Sequence, residues 1–313
     1  MMETNEVIQG DCLIESDKIE SGSVDLILTD PPYGNMKGAE LDGWDNQKTN
    51  WDNILAPNDL FNVANIILRK NGKLILFSQE PYTSQLITEA IPNLPFSYRM
   101  VWLKDHFANS LIAKKAPVSY IEDVLVFKKT ECQYSINPLK GIMKKYVNKY
   151  GKKYIIDLFK KEGRYSSKAS AKVHASYKFG FNGGKRFDLM DKKLYNFISK
   201  YIEFEETYQE LKKINNKFKE KYKSTFNLPE GKKYKSNVLE YKKDYDGYHP
   251  TQKPVALLED LIKTYSNEGD LVVDLTAGSG STGVAAKNLN RNYILIEQEE
   301  KYCEIARQRI DKV

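Results

Sequence analysis

Apolar and polar positions along this chain follow two rhythms. Short runs of aliphatic, β-branched and aromatic residues read as strands: Glu6 to Gln9, the stretch from Val24 to Leu28, Lys73 to Phe77, Tyr98 to Leu103, Asp123 to Phe127, the run from Leu271 and Tyr293 to Ile296. Between them, helical spacing marks Asn58 to Arg69, Ser84 to Ala90, Val255 to Ser266, Val284 to Leu289 and Glu300 to Ile310. Asn71-Gly72 punctuates the passage from the first of these helices to the next strand. Strands alternating with helices predict an α/β fold: a Rossmann-like, doubly wound, mostly parallel sheet.

The rhythm breaks once, between residues 133 and 246. Asp191 to Tyr222 is polar, lysine-rich and helical in pattern, with Leu194, Ile198, Ile202, Leu211 and Ile214 spaced for one buried face. Gly180 to Arg186 reads as an exposed basic turn, and Tyr222 to Gly247 as a segment that orders only on binding. The domain organisation expected is therefore 1–132, an insert at 133–246, and 247–313.

Charge sharpens that division. The whole chain carries a net +6, but residues 133–246 hold 28 Lys and Arg against 13 Asp and Glu, a net +15. The remainder holds 20 against 29, a net −9. The insert also has 13 of the 21 tyrosines, and aromatic rings among lysines suit stacking on bases and contact with phosphates. A charge segregated by segment points to a polyanion bound mainly by the insert, against the plainer reading of a solvated lysine-rich surface.

Other classes recede. A chain of 313 residues can bury a sizeable core, and 41% hydrophobic with 29% charged residues is ordinary for a soluble globular protein. Without a bilayer-length apolar run or a basic-then-apolar start, the expectation is a cytoplasmic protein with no membrane partner. Cys12, Cys132 and Cys303 suggest neither a disulfide framework nor a CxxC pair, and three histidines give little support to a zinc site, so no metal is expected.

Chemistry concentrates at two turns. Asp30-Pro31-Pro32-Tyr33 follows the apolar run ending at Leu28, where a buried strand should leave the sheet and ligands bind. Two prolines offer carbonyls and no N–H, and Asp30 adds a carboxylate, so the turn is rigid and rich in acceptors. It suits an amine-bearing planar ring, with Asp30 and the Pro31 carbonyl accepting the amine hydrogens and Tyr33 stacked on the ring face. The second turn follows Leu-Val-Val-Asp at 271–274, where Gly278, Gly280 and Gly283 fit G-x-G-x-x-G. The run Tyr293 to Ile296 then ends in Glu297, at the distance where an acidic residue grips ribose hydroxyls. Adenosine is the implied moiety, which leaves a dinucleotide and S-adenosylmethionine both open.

These motifs in this order resemble the DNA amino-methyltransferases of the permuted β type, which methylate adenine N6 or cytosine N4. The resemblance rests on Gly10-Asp11-Cys12, the run ending at Tyr33, His249 to Pro254, Asp274 to Thr282, and Arg291 to Ile310 with Tyr302-Cys303-Glu304-Ile305-Ala306. It covers about residues 6 to 130 and 248 to 310 and leaves the insert unmatched.

The resemblance implies a site-specific, S-adenosylmethionine-dependent methyltransferase acting on double-stranded DNA by base flipping, with N6 of adenine favoured and N4 of cytosine second. The catalytic half is then 1–132, the target-recognition insert 133–246, and the cofactor half 247–313. Asp30, Pro31, Pro32 and Tyr33 would hold the flipped base. Gly278, Ser279, Gly280 and Ser281 would wrap the methionine part of the cofactor. Glu297 would take the ribose hydroxyls, Asp11 the adenine amine and Lys253 the methionine carboxylate, with Cys12, Asp274 and Thr276 completing the cofactor set. Thr276 and Leu275 stand where the family commonly has Phe and Pro, and Ile121-Glu122 where it often has His-Glu. The loop from Gly34 to Asn53, with Trp44 and Trp51, is expected to close over the base. A homodimer and a cognate restriction endonuclease are partners that the resemblance leaves open. A nicotinamide-dependent dehydrogenase, or a DNA-binding protein without catalysis, would each leave Asp30 to Tyr33 unexplained.

Overall fold

The computed structural model describes residues 3–34, 54–108, 114, 117–131, 137–181, 187–245, 247–248 and 251–313. The loop carrying Trp44 and Trp51, residues His249 and Pro250, Cys132 and most of the 180–186 turn lie outside them. Along the chain come β1 (Glu6–Gln9), α1 (Cys12–Glu15), β2 (Val24–Thr29), α2 (Pro57–Ile67), β3 (Leu68–Ser78), α3 (Tyr82–Thr88), β4 (Phe96–Ala108) and β5 (Ser119–Lys128). Five helices follow: α4 (Leu139–Tyr150), α5 (Lys152–Lys161), α6 (Lys168–Phe179), α7 (Lys192–Ile198) and α8 (Tyr208–Lys221). The chain ends with β6 (Val238–Glu240), α9 (Val255–Tyr265), β7 (Leu271–Asp274), α10 (Ser281–Asn288), β8 (Asn292–Glu297) and α11 (Glu300–Asp311).

The eight strands form one sheet in the order β1-β8-β7-β2-β3-β5-β4-β6, parallel except that β5 runs against both its neighbours. The mostly parallel, doubly wound sheet is thus as expected. Its two faces follow from a side-chain period of two. Leu26, Leu28, Ile75, Phe77, Val124 and Val126 pack with α9 and α10 through Leu257, Leu261, Val284 and Ala285. Ile27, Leu74, Leu76, Leu125 and Phe127 point the other way, onto Leu60, Phe61 and Ala64 of α2 and Leu86 of α3. From β2 the chain winds outward to β3, and from β7 it winds the opposite way to β8. Because β7 and β2 are neighbours, the strand order reverses between them, which opens a crevice at their carboxyl ends.

Two local readings change. Helix α2 stops at Ile67, and β3 runs straight through Asn71-Gly72. Asn71 takes a positive φ of 65° while its N–H bonds to the Lys129 carbonyl, so the pair makes an irregularity in a strand instead of a break before one. The segment 191–222 is two helices, α7 and α8. Thr207 and Glu210 form a reciprocal capping box that starts α8 afresh.

The chain divides into two compact units, residues 1–134 with 224–313, and residues 135–223. The second unit has its own core, in which Leu194, Ile198, Ile202 and Leu211 are buried with Met143, Phe159 and Phe179, and Ile214 packs at the edge. Its bounds differ from the charge-defined 133–246, because residues 224–245 pack with the sheet-bearing unit. This stretch was expected to order only on binding; instead Val238–Glu240 pairs in parallel with Val101–Leu103, and the Trp102 indole N–H donates to the Tyr241 carbonyl at 2.8 Å. Backbone pairing on an edge strand needs no long apolar run, which is why hydropathy gave no hint of it. No helix among the described residues is long and apolar enough to cross a membrane.

Candidate active site

The crevice between β7 and β2 opens into a cavity of about 800 Å³, lined by both turns singled out in the sequence. Its volume is that of a ligand pocket. Asp11, Cys12, Asp30, Pro31, Pro32, Tyr33, Lys253, Asp274, Thr276, Gly278, Ser279, Ser281 and Glu297 all line it; Gly280 does not, but it shapes the turn.

One wall is made by backbone. Gly280 has φ +80°, and a Cβ there would stand 2.5 Å from the Ala306 Cβ of α11. At Gly283 it would meet Ile310 and Leu295, each at 2.6 Å. Glycine is therefore required at 280, where a side chain would strike Ala306 Cβ and main chain at a left-handed φ, whereas at 283 the atoms met are the ends of two side chains. Arg309 of α11, itself buried, fastens the turn by donating to the Ser279 carbonyl at 2.8 Å, to Ser279 Oγ at 2.9 Å and to Ser281 Oγ at 3.1 Å. Glu297 accepts from the Gly278 N–H at 2.7 Å and the Glu299 N–H at 3.0 Å; burial nonetheless raises its carboxyl above the ordinary value. Asp274 accepts from Thr282 Oγ1 at 2.6 Å and from the Thr276 N–H at 3.1 Å, and burial pushes it up to about 6. Asp11 caps α1 by accepting from the Leu13 N–H at 2.8 Å, and burial beside Asp11 raises the Cys12 thiol to about 11.

The facing wall is made by charge. The Asp30 carboxylate takes a hydrogen bond from the Tyr33 hydroxyl on Oδ1 and one from the Lys253 ammonium on Oδ2. Lys253 also reaches Glu122 Oε1 at 3.0 Å, and the Tyr33 hydroxyl lies 3.1 Å from the same oxygen. Lys104 closes the chain of charges at 2.6 Å from Glu122 Oε2. Two carboxylates and two ammoniums thus neutralise one another in a cluster whose Glu122, Lys104 and Lys253 are buried and whose Asp30 stays partly exposed to the cavity. Burial acts to raise Glu122, but Lys253 and Lys104 outweigh it and bring that carboxyl down to about 2. Burial raises Asp30 against the pull of Lys253, while Asp30 and Glu122 together keep Lys253 protonated despite its burial. Tyr33 is raised by burial and by the two carboxylates, and its ring sits tilted on Tyr82 with centroids 6.0 Å apart.

Thr276 joins the two walls. Its hydroxyl lies 2.8 Å from Thr29 Oγ1 and donates to the Asp30 main-chain carbonyl at 2.9 Å. The polar side chain at this departure from the family pattern therefore clips the glycine turn to the Asp30 turn.

The structure gives Lys253 partners that the sequence did not suggest and adds three residues. Lys253 is engaged by two carboxylates of the chain itself, because a buried ammonium takes the nearest anions. Glu122, Lys104 and Thr29 had not been singled out. Only the Ile121-Glu122 departure drew attention to that strand, and nothing in the sequence marks Lys104 as buried.

The residues fit a nucleoside-bearing cofactor. Among the described residues, neither amide atom of Gln252, buried at the cavity, has a hydrogen-bond partner, which leaves capacity for a polar ligand. Glu297 and Asp11 present carboxylates beside a turn whose glycines let a ligand approach the backbone.

Comparison with known proteins agrees. The family model described as DNA methylase matches residues 24–308. The type II methyltransferase M2.DpnII of Streptococcus pneumoniae is 51% identical over 65 residues, which cover 21% of this chain and 24% of that protein. M.HinfI of Haemophilus influenzae is 25% identical over 316 residues, covering 99% of this chain and 69% of its own. Among solved structures, the M1.HpyAVI–SAM complex aligns with a TM-score of 0.53 at 19% identity, over 98% of both chains. The cytosine-N4-specific PvuII DNA methyltransferase aligns with a TM-score of 0.52 at 15% identity, over 99% of this chain and 87% of its own. At these identities the structural likeness concerns the fold, whereas the family match spans most of the sequence: the chain belongs to the DNA methylase family.

Proposed function

We propose that this protein is a site-specific DNA methyltransferase that transfers a methyl group from S-adenosylmethionine to N6 of an adenine flipped out of double-stranded DNA. The observation that carries this reading is the single cavity in which the glycine turn and the Asp30–Tyr33 turn face each other at the switch point of the sheet.

When bound, the cofactor supplies a sulfonium methyl, a strong electrophile. The task left to the chain is to hold a weakly nucleophilic amine in line with it, and orientation of this kind contributes several kcal/mol, on the order of the effects measured for positioned reactants. Asp30 accepts hydrogen bonds from the amine and aims its lone pair across the cavity. Its carboxylate also offsets the positive charge that develops on the nitrogen and takes the proton released there. The Thr276 clip sets the distance between the glycine turn and Asp30. Gly278 to Ser281, Glu297 and Asp11 hold the cofactor, and the basic insert supplies phosphate and base contacts.

Adenine N6 is favoured because Asp heads the Asp-Pro-Pro-Tyr turn; cytosine N4 is the second reading. The test is transfer of labelled methyl from S-adenosylmethionine to unmethylated DNA, followed by nucleoside mass spectrometry. N6-methyladenine is expected. N4-methylcytosine would keep the mechanism and change the base, and no methylated nucleoside from cofactor-binding protein would overturn the proposal.

A further inference from the structure

Each oxygen of the Asp30 carboxylate already accepts one hydrogen bond in this structure, Oδ1 from the Tyr33 hydroxyl and Oδ2 from the Lys253 ammonium. An amine that donates its hydrogens to Asp30 must share the remaining lone-pair sites with these two donors, and the ammonium weakens the pull of the carboxylate on it. Each donor has a second acceptor within hydrogen-bond reach, and it is the same atom. Glu122 Oε1 lies 3.1 Å from the Tyr33 hydroxyl and 3.0 Å from Lys253 Nζ. The other Glu122 oxygen is held by Lys104 at 2.6 Å.

We propose that Glu122 is a positioning residue for the transfer: it receives the Tyr33 hydroxyl and the Lys253 ammonium as they leave Asp30, freeing the Asp30 carboxylate for the target amine. The inference rests on the methyl-transfer reading and deepens it. Leaving a buried ammonium without an anion is strongly unfavourable, whereas handing it to a second carboxylate already in contact exchanges one charge-assisted bond for another. Tyr33 has one phenolic hydrogen and two acceptors in reach, so it can serve only one of them at a time. Lys104 keeps a cation on the far oxygen of Glu122, which holds that carboxylate ionised and in place.

The test compares the full chain with Glu122→Gln, Lys253→Gln and the double variant. Methyl transfer to unmethylated DNA is measured for each, with isothermal titration of S-adenosylmethionine as a separate readout. Glu122→Gln keeps the shape but drops the charge, so Lys253 stays on Asp30. Its kcat should fall about 100-fold, while cofactor affinity stays within roughly threefold. Removing the competing ammonium in the double variant should then restore at least about tenfold of that loss. A double variant no more active than Glu122→Gln, with cofactor binding retained, overturns the proposal. Should Glu122→Gln not fold, the pH profile of kcat/KM for Lys253→Gln decides. Without the ammonium on its Oδ2, Asp30 should show its acid limb at higher pH than in the parent; an unchanged limb overturns the inference. A parent chain that binds cofactor but transfers no methyl would bring down the methylation reading itself, and this inference with it.

Discussion

The two walls of the cavity are built on different principles. The glycine-turn wall is mostly backbone: consecutive residues 278–283, among which Gly280 and Gly283 stand where a Cβ would strike neighbouring atoms, fastened by Arg309. The opposite wall is side-chain charge drawn from four distant places in the chain, residues 30, 104, 122 and 253. A backbone-built surface offers fixed dipoles and close approach. A charge cluster can instead redistribute its hydrogen bonds, because Asp30, Glu122 and Lys253 each have more than one partner. The first arrangement suits holding a cofactor, and the second suits admitting and orienting a reacting amine.

Perturbations should divide along the same line. Asp30→Ala is expected to have the largest effect, lowering methyl transfer on the order of 1000-fold while cofactor affinity, read by titration calorimetry, changes by less than about threefold. Gly280→Ala should do the reverse. A side chain at φ +80° that also meets Ala306 should weaken cofactor binding by about 100-fold and cost about 1–3 kcal/mol of stability in denaturant unfolding. Equal loss of cofactor affinity in both variants would mean the two walls are not separable. Arg309→Lys should be milder: the single Nη1 that meets both Ser279 and Ser281 would be replaced by the ammonium of a shorter side chain, and the planar group 4.7 Å from the Tyr248 ring centre would be lost; a rise of about tenfold in the cofactor dissociation constant is expected.

The smallest effect is one of pH. Asp274 is raised by burial from an ordinary carboxyl value to about 6, so between those two values the folded chain holds a proton that the unfolded chain has released. Its contribution to stability is present in full below the unfolded value and is lost as pH rises through about 6. Asp274→Asn should flatten that part of a melting-temperature profile taken from pH 4 to 8. A profile unchanged by the substitution would show that Asp274 titrates normally.

What was legible differs between the walls for a physical reason. The glycine turn, Glu297 and the Asp30 turn could be read because strand, turn and helix lie within a few residues of one another and each demands a particular residue type. Glu122 and Lys104 could not, since a charged residue in a strand becomes a site only when another charged residue is buried against it. Lys253 illustrates the limit. Its place at the entrance to α9 was readable, but the identity of its partners depended on how β2, β5 and the segment before α9 come together. Residues 224–245 make the same point for the fold, because an edge strand is defined by the strand it joins, here β4.

By itself, then, the sequence determined the alternation of strands and helices, the doubly wound sheet, the two turns that line the cavity and the segregation of positive charge into one insert. All of these follow from local periodicity, backbone preference and composition. Tertiary structure alone decided the neighbour relation of β7 and β2, the Thr276 clip, the start of a new helix at Thr207 within a continuous lysine-rich run, and the sharing of Asp30, Glu122, Lys253 and Lys104 in one network. Long-range pairing and the energy of a buried charge depend on which groups meet across the fold, and spacing along the chain carries no record of that.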